Sequence, residues 1–125
     1  MDIIRCDDME IFANPGFTSR QLLYPGNSES ARVTITRVTL EPGAINARHS
    51  HCGAEQIWIA LSGSGELLLA DEAAIPFAEG DVARFAAGDV HGLRNSGVSP
   101  FVYISVTSPP LDFRAAYQSH SKSPR

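Results

Sequence analysis

Two histidines separated by a single residue, His49 and His51, have the type and spacing expected of metal ligands. On an extended strand the side chains alternate between faces, so residues two apart project to the same side. Two imidazoles arranged in this way can converge on one ion, because neutral imidazole binds zinc, copper, iron and nickel. The sequence therefore predicts a metal site here, with further ligands from Glu55 or Gln56 and from His91.

The composition is that of an ordinary globular domain. The 125 residues are 43% hydrophobic and 19% charged, a length and composition that favour one domain able to bury a core without disulfides. The net charge of -4 is spread along the chain, and the basic residues cluster only in the short tail 122–125. This pattern argues against nucleic acid as a partner, which requires a basic track.

No apolar stretch approaches the length of a membrane span, and residues 1–10 carry five charged side chains rather than an apolar signal core. We therefore expect a cytoplasmic protein with no membrane partner. The two cysteines, Cys6 and Cys52, are expected to be free thiols. Cys52 directly follows His51, so thiolate ligation is an alternative to an inert thiol at this position.

The elements that must position the histidines are predicted to be short strands. Ten glycines and eight prolines supply turns, and β-branched or apolar runs between those turns predict strands at 31–40, 56–61, 66–70, 74–78, 82–85 and 101–106. Strands this short and regularly spaced favour an all-β jelly roll or small barrel, which removes exposed sheet edges. One helical turn is predicted within 112–117, and the polar residues 118–125 are expected to be frayed.

The histidine region and a second segment together resemble the cupin family. Its first motif, G-x5-H-x-H-x3,4-E-x6-G, is matched at Gly43, His49, His51 and Gly63, and its second, G-x5-P-x-G-x2-H-x3-N, at Gly80, Gly88, His91 and Asn95. The resemblance implies a double-stranded β-helix with one divalent metal ion, which could be zinc, iron, manganese, nickel or copper. It also divides the chain into an N-terminal arm with edge strands (1–30), a barrel core (31–110) and a C-terminal segment (111–125).

The chain departs from the cupin motifs at two positions. Ala86 replaces the proline of the second motif, which should loosen the turn before His91 without removing a ligand. In the first motif, Glu55 has the permitted spacing from His51, but Gln56 has the correct spacing from Gly63. The pleat of the strand that ends near Gly63 fixes which residues face inward, so we predict Gln56 as the further ligand.

The choice between Glu55 and Gln56 also determines what lines the cavity. An inward Gln56 places Trp58 and Ala60 on the cavity face, and places Ile57, Ile59 and Leu61 in an apolar layer behind the sheet. An inward Glu55 would reverse these faces. Three imidazoles and a neutral amide leave the charge of a divalent ion uncompensated, which favours an anionic substrate or an easily ionised water.

Cupins of this size include isomerases, lyases, dioxygenases and modules that bind sugars, so the fold does not fix the reaction. The ligand pattern of three histidines and one glutamine is similar to that of the small cupin that linearises unsaturated uronates. We therefore predict a metal-dependent cupin, an isomerase, lyase or dioxygenase, acting on a small anionic or sugar-derived substrate. The alternative is a module that binds a small molecule or sugar without turnover.

No residue is assigned here as a catalytic acid or base. Candidates to line the substrate pocket are Arg37, Trp58, Asp112, Phe113 and Arg114, of which Arg37 or Arg114 could hold an anion in a bidentate clamp. Small cupins usually pair through sheet edges and N-terminal strands, and residues 1–24 are apolar enough to do so, which predicts a homodimer.

Overall fold

The computed structural model describes residues 1–122 and is built almost entirely from β-structure. Three short 3-10 turns lie at Cys6–Asp8, Ala70–Glu72 and Arg114–Ala116. The strands of residues 1–122 are β1 (Glu10–Asn14), β2 (Phe17–Leu23), β3 (Thr34–Leu40), β4 (Ile45–His49), β5 (Glu55–Ser62), β6 (Ser64–Leu69), β7 (Ala74–Ala78), β8 (Val82–Phe85), β9 (His91–Arg94), β10 (Phe101–Ser108) and β11 (Ser119–Lys122).

The strands form two antiparallel sheets. The larger has seven strands in the order β11-β1-β2-β3-β10-β5-β8, and the smaller has four in the order β4-β9-β6-β7. Neighbours such as β3 and β10 are distant in sequence, so the chain crosses repeatedly from one sheet to the other, as in a jelly roll. The prediction of an all-β double-stranded β-helix is confirmed.

The core lies between the two sheets, where apolar side chains from both meet. Leu40 and Phe101 of the larger sheet and Leu93 of the smaller one are fully buried. The ring of Trp58 packs 4.7 Å from that of Tyr103, measured between centroids. Burial of side chains this large contributes roughly 1.5 to 3 kcal/mol each to folding, before entropy is subtracted.

The structure shows which face of strand β3 is internal. Its burial alternates, with Thr34, Thr36 and Val38 buried and Arg37 exposed. Both faces of this strand carry threonine, so polarity alone does not rank them in the sequence. Strands β2 and β10 pair with β3 on its two sides, so neither of its edges is left open.

The outer face of β5 differs from our expectation. Trp58 and Ala60 do point into the barrel, but Ile59 and Leu61 are 36% and 42% exposed. The prediction that these residues fill an apolar layer behind the sheet is wrong. A jelly roll places its second layer on the inner side of each sheet, and none of the described residues buries this outer face.

The C-terminal segment is more ordered than predicted. The expected helical turn is present as the 3-10 turn Arg114–Ala116, but the polar residues after it form β11, which pairs with β1. The expectation of a frayed tail is therefore wrong for residues 119–122, while residues 123–125 lie outside the described part. Backbone pairing needs no apolar alternation, and the His120 ring also packs 4.7 Å from that of Phe12.

Residues 1–30, predicted as an arm with edge strands, contribute β1 and β2 to the chain's own sheet. The homodimer stays a prediction. Within residues 1–122, no helix has the length and apolar character needed to cross a bilayer.

Candidate metal centre

The three candidate histidines come together where β4 ends and β9 begins. His49 is the last residue of β4 and His91 the first of β9, and the two are direct partners in the strand register. His51 lies in the loop beyond the end of β4 rather than on the strand. Its carbonyl accepts a 2.9 Å hydrogen bond from the Gly88 N–H, so the turn before His91 also holds the His51 loop.

The imidazoles are close enough to share one ion. One ring nitrogen from each of His49, His51 and His91 lies within 4.8 Å of the others. The ring centroids of His49 and His91 are 4.4 Å apart, and those of His49 and His51 are 4.9 Å apart. The spacing is that of side chains converging on a common point.

Backbone contacts select the tautomer of two of these histidines. The Nδ1 of His49 lies 2.7 Å from the carbonyl oxygen of Ala47, and the Nδ1 of His91 lies 2.8 Å from that of Asp89. A carbonyl can only accept, so each Nδ1 carries the proton and each Nε2 keeps a free lone pair. Hydrogen bonds of this kind commonly orient histidines that ligate metals.

A hydrogen-bonded clamp fixes the amide of Gln56. The indole N–H of Trp58 donates to Oε1 of Gln56 at 3.0 Å, and Nε2 of Gln56 donates to Oγ1 of Thr107 at 2.8 Å. These two contacts assign the oxygen to the side that faces the histidines. Gln56 is 4% exposed, so its orientation is held by packing as well.

The resulting arrangement suits a cation. Oε1 of Gln56 lies 2.9 Å from Nε2 of His91, and with the tautomer above both atoms present lone pairs. Nε2 of His51 is buried without any hydrogen-bond partner. Lone pairs that face each other away from water are unfavourable unless a positive charge lies among them. The donor set of three nitrogens and one oxygen therefore fits a divalent transition metal.

Glu55 lies on the opposite face of β5. Its carboxylate is exposed and forms an ion pair with Arg84 of β8. Since side chains alternate along a strand, Glu55 cannot turn inward without displacing Gln56.

The surroundings also keep His91 and His51 neutral. Burial lowers the pKa of His91 to about 4, with a smaller contribution from the nearby His49 and His51. Burial also lowers the pKa of His51, again aided by His49. Neutral imidazole is the form that binds metal, so the site is prepared for an ion near neutral pH.

The lowered pKa of His91 predicts that the metal-free protein loses stability on mild acidification. Between the ordinary histidine pKa of 6.5 and the folded value of about 4, the unfolded chain binds a proton that the folded protein does not. Stability is therefore full above pH 6.5 and declines by up to about 3 kcal/mol across this window. Urea unfolding at several pH values measures the decline, and His91→Gln should flatten it. An equal dependence of stability on pH in the wild-type protein and in His91→Gln would contradict the attribution of the decline to His91.

Removing the indole N–H should weaken metal binding without unfolding the protein. Trp58→Phe keeps a buried aromatic ring but leaves Oε1 of Gln56 without its donor, so the amide is held only by its bond to Thr107 and by packing. We expect affinity for a divalent ion to fall by roughly tenfold, as for other partners that orient ligands. Calorimetric titration measures this, and Phe85→Leu, which alters another ring against His91 but no hydrogen bond, is the control. An unchanged affinity in Trp58→Phe would contradict the role of the Trp58 N–H in positioning Gln56 for metal binding.

His49 and His51 open onto a cavity of about 410 Å³ between the sheets. Its walls combine aromatic rings with neutral polar side chains, and none of the described residues that line it is Asp, Glu or Lys. Arg48 lines the cavity, but its guanidinium donates to the carbonyls of Leu69 and Ala73 at 2.7 and 3.1 Å. The cavity therefore offers hydrogen bonds and little fixed charge.

The structure separates the predicted pocket residues into two groups. Trp58 and Phe113 line the cavity, and the Phe113 ring lies 5.7 Å from that of His51. Arg37 is exposed on the outer face of β3, because its neighbours Thr36 and Val38 take the inner positions. Asp112 and Arg114 line a separate cavity. Neither Arg37 nor Arg114 therefore lines the cavity onto which His49 and His51 open.

Several residues that shape the site were not singled out in the sequence. A Cβ at Gly92 would lie 2.6 Å from the carbonyl oxygen of Asn46, so only glycine lets β9 approach β4 this closely. In the sequence, the only indication of this role for Gly92 was its position directly after His91. The Asn46 amide donates to the Tyr103 hydroxyl at 3.1 Å on the cavity wall. No local pattern links these two, since they are brought together only by the fold.

Two polar residues near His91 have structural roles. The buried amide of Asn95 donates to the carbonyls of Leu40 and Ser99, both at 2.9 Å, and joins the two sheets at this end. The Asp89 carboxylate accepts from the Ala86 N–H at 2.9 Å and closes the turn before His91. Both thiols are free, as expected, and both are exposed. Cys52 is not part of the histidine cluster.

Comparison with known proteins agrees with this arrangement. Residues 36–107, which include all three histidines and Gln56, match the family described as Cupin domain. The chain belongs to the cupin family. No curated protein matches it in sequence.

Cupins of different chemistry share the fold. A polyketide cyclase, RemF from Streptomyces resistomycificus, has TM-score 0.75 at 19% identity over 88% of this chain and 80% of its own. A predicted oxalate decarboxylase from Thermotoga maritima has TM-score 0.73 at 20% identity over 85% and 97%. A sugar phosphate isomerase of the cupin superfamily from Silicibacter pomeroyi has TM-score 0.67 at 27% identity over 75% and 60%. These similarities leave the reaction of this cupin open.

Proposed function

We propose that this cupin holds one divalent metal ion through His49, His51, His91 and the amide oxygen of Gln56, and acts on a small anionic or sugar-derived substrate. The reaction is of the isomerase, lyase or dioxygenase type. The observation that carries the proposal is the set of inward lone pairs, with Nε2 of His51 buried and unpartnered and Nε2 of His91 2.9 Å from Oε1 of Gln56. The donor set suits zinc, iron, manganese, nickel or copper.

The charge of the site favours an acidic ligand. All four proposed ligands are neutral, and none of the described cavity-lining residues is a carboxylate, so a divalent ion there keeps its full positive charge. A bound ion of this kind polarises carbonyl or carboxylate oxygens and lowers the pKa of water.

The protein's own side chains then bind and orient the substrate. Asn46, Thr36 and Ser105 line the cavity and supply hydrogen bonds of the kind that hydroxyl and carbonyl groups accept and donate. The Tyr103 hydroxyl accepts from Asn46, so its own proton remains available to donate. Burial raises the pKa of Tyr103 far above its usual range, which keeps that proton in place near neutral pH.

The relatives support a small polar substrate without naming it. The polyketide cyclase, predicted oxalate decarboxylase and sugar phosphate isomerase are named for substrates that carry carbonyl, carboxylate or phosphate groups. All of these groups offer oxygens to a metal ion. We propose the same class of substrate for this chain.

Metal analysis followed by a turnover screen tests the proposal. We expect about one transition metal ion per chain and turnover of a uronate, keto acid or hydroxy acid that stops on chelation and returns with metal. Anaerobic assays with iron-loaded protein separate dioxygenase from isomerase or lyase chemistry. Absence of bound metal after expression and reconstitution with each of the five metals would contradict the proposal.

A non-catalytic binding module is the second candidate. It is favoured by one observation, the absence of Asp, Glu and Lys from the described residues that line the cavity. Without a carboxylate or amine, proton transfer depends on a smaller set of groups. Binding of a sugar acid without turnover under any metal or oxygen condition would support this reading.

A further inference from the structure

A second, more apolar cavity lies next to the one that His49 and His51 line, which we call the metal cavity. It measures about 300 Å³ and is bounded by β1, β2, the loop after β2 and residues 110–114. Phe113 lines both cavities, and it is the one residue of 1–122 that does so. The same ring lies 5.7 Å from that of His51. One aromatic side chain thus stands between the histidine cluster and the second cavity.

The strand register places the two cavities side by side on one sheet. Along β2, Ser19 lines the metal cavity and Gln21 the second one, while along β3 Thr36 lines the metal cavity and Thr34 the second one. Residues two apart on a strand face the same side about 7 Å apart. Gln21 is also the direct cross-strand partner of Thr36. The two cavities are therefore successive positions on the same inner face.

The second cavity is suited to an apolar group. Six of its lining residues are aromatic, proline or leucine, and the buried Gln21 and Thr34 lie on the sheet beneath them. The charged Asp112 and Arg114 belong to the exposed segment at its edge. Surfaces of this kind take a ring or alkyl chain and leave polar groups near the rim.

We propose that this second cavity is a subsite for the aryl or alkyl extension of the ligand whose oxygen-rich head lies at the histidine cluster. The inference rests on the proposed function, and it narrows the substrate class to amphipathic small acids rather than bare sugar acids. Phe113 contacts both parts of such a ligand and sets where the polar head ends and the apolar extension begins.

Two hydroxamates test the subsite on the zinc-loaded full chain. Acetohydroxamate supplies a metal-binding head alone, and phenylbutyrohydroxamate adds an aryl group on a flexible chain. Burial of that group in the second cavity should make the longer probe bind about tenfold tighter or more in calorimetric titration. Leu111→Trp, which fills the second cavity, should abolish this preference and leave the affinity for acetohydroxamate within about twofold.

Leu61→Trp is the matched control, because Leu61 is exposed on the outer face of β5 and lines neither cavity. A second measurement does not depend on how Leu111→Trp folds. In the wild-type protein, the side-chain amide resonances of Gln21 should shift with phenylbutyrohydroxamate and not with acetohydroxamate.

Two results would overturn the subsite while the metal site stands. These are equal affinity of the two probes in the wild-type protein, and binding of the longer probe without a shift at Gln21. If zinc does not bind, the two probes are compared on the protein loaded with whichever of the other four metals does bind. If none of the five metals binds, the proposed metal site has failed, and the subsite is overturned with it.

Discussion

His51→Ala and His91→Ala will each leave the protein without a stably bound divalent ion. Each variant removes one of three convergent nitrogens from a neutral donor set that has no spare histidine or carboxylate within the described cavity wall. We expect occupancy to fall from about one ion per chain to below about a tenth after dialysis. Elemental analysis of purified protein measures the occupancy directly.

His120→Ala is the control for both variants. His120 is exposed, packs on Phe12 and donates a 3.0 Å hydrogen bond from Nε2 to the carbonyl of Arg114, away from the histidine cluster. It should retain full occupancy. His51 is less buried than His91, so His51→Ala tests ligation with less disturbance of the fold. Full occupancy in both His51→Ala and His91→Ala would remove the basis of the site.

Gln56→Ala will weaken metal binding far more than Glu55→Ala. The amide oxygen of Gln56 faces the histidines and is held there by Trp58 and Thr107. Loss of a partner that merely orients a ligand costs tenfold to a hundredfold in affinity, so loss of the ligand atom itself should cost roughly a hundredfold or more. Calorimetric titration with the metal that elemental analysis finds in the purified protein measures the change.

Glu55→Ala serves as the neighbouring control. It removes only an exposed ion pair with Arg84, worth less than about 1 kcal/mol, and should leave metal affinity within about threefold. The reverse pattern, with metal retained in Gln56→Ala and lost in Glu55→Ala, would show that the strand register does not decide the ligand.

Much of the fold could be predicted because the turns between its strands are marked by residues in the local sequence. Turn residues such as Pro42-Gly43 and Gly80-Asp81 separate short β-branched runs, and the strands lie between those turns. Strand β11 could not be predicted, since Ser119–Lys122 is held by backbone pairing with β1 and by the packing of His120 on Phe12. Neither interaction leaves a pattern in the local sequence.

The candidate site was likewise predictable only in part from the sequence. Spacing alone groups His49, His51 and His91, and the count from Gly63 selects Gln56 over Glu55, because a strand keeps its pleat. The inner face of β3 was not predictable, since threonines occupy both of its sides, and Arg37 was therefore placed wrongly beside the pocket. Arg114 lies at the edge of the second cavity and not beside the histidines, because its position depends on how the last residues return to the sheet.

The proposed ligands belong to different sheets, which affects how the protein should unfold. His49 and His91 belong to the four-stranded sheet and Gln56 to the seven-stranded one. An ion held by both makes separation of the sheets require breaking a coordination bond, and its binding free energy adds to the free energy of unfolding. Amide hydrogens of β9 and β5 should then exchange together in the metal-loaded protein and independently after chelation.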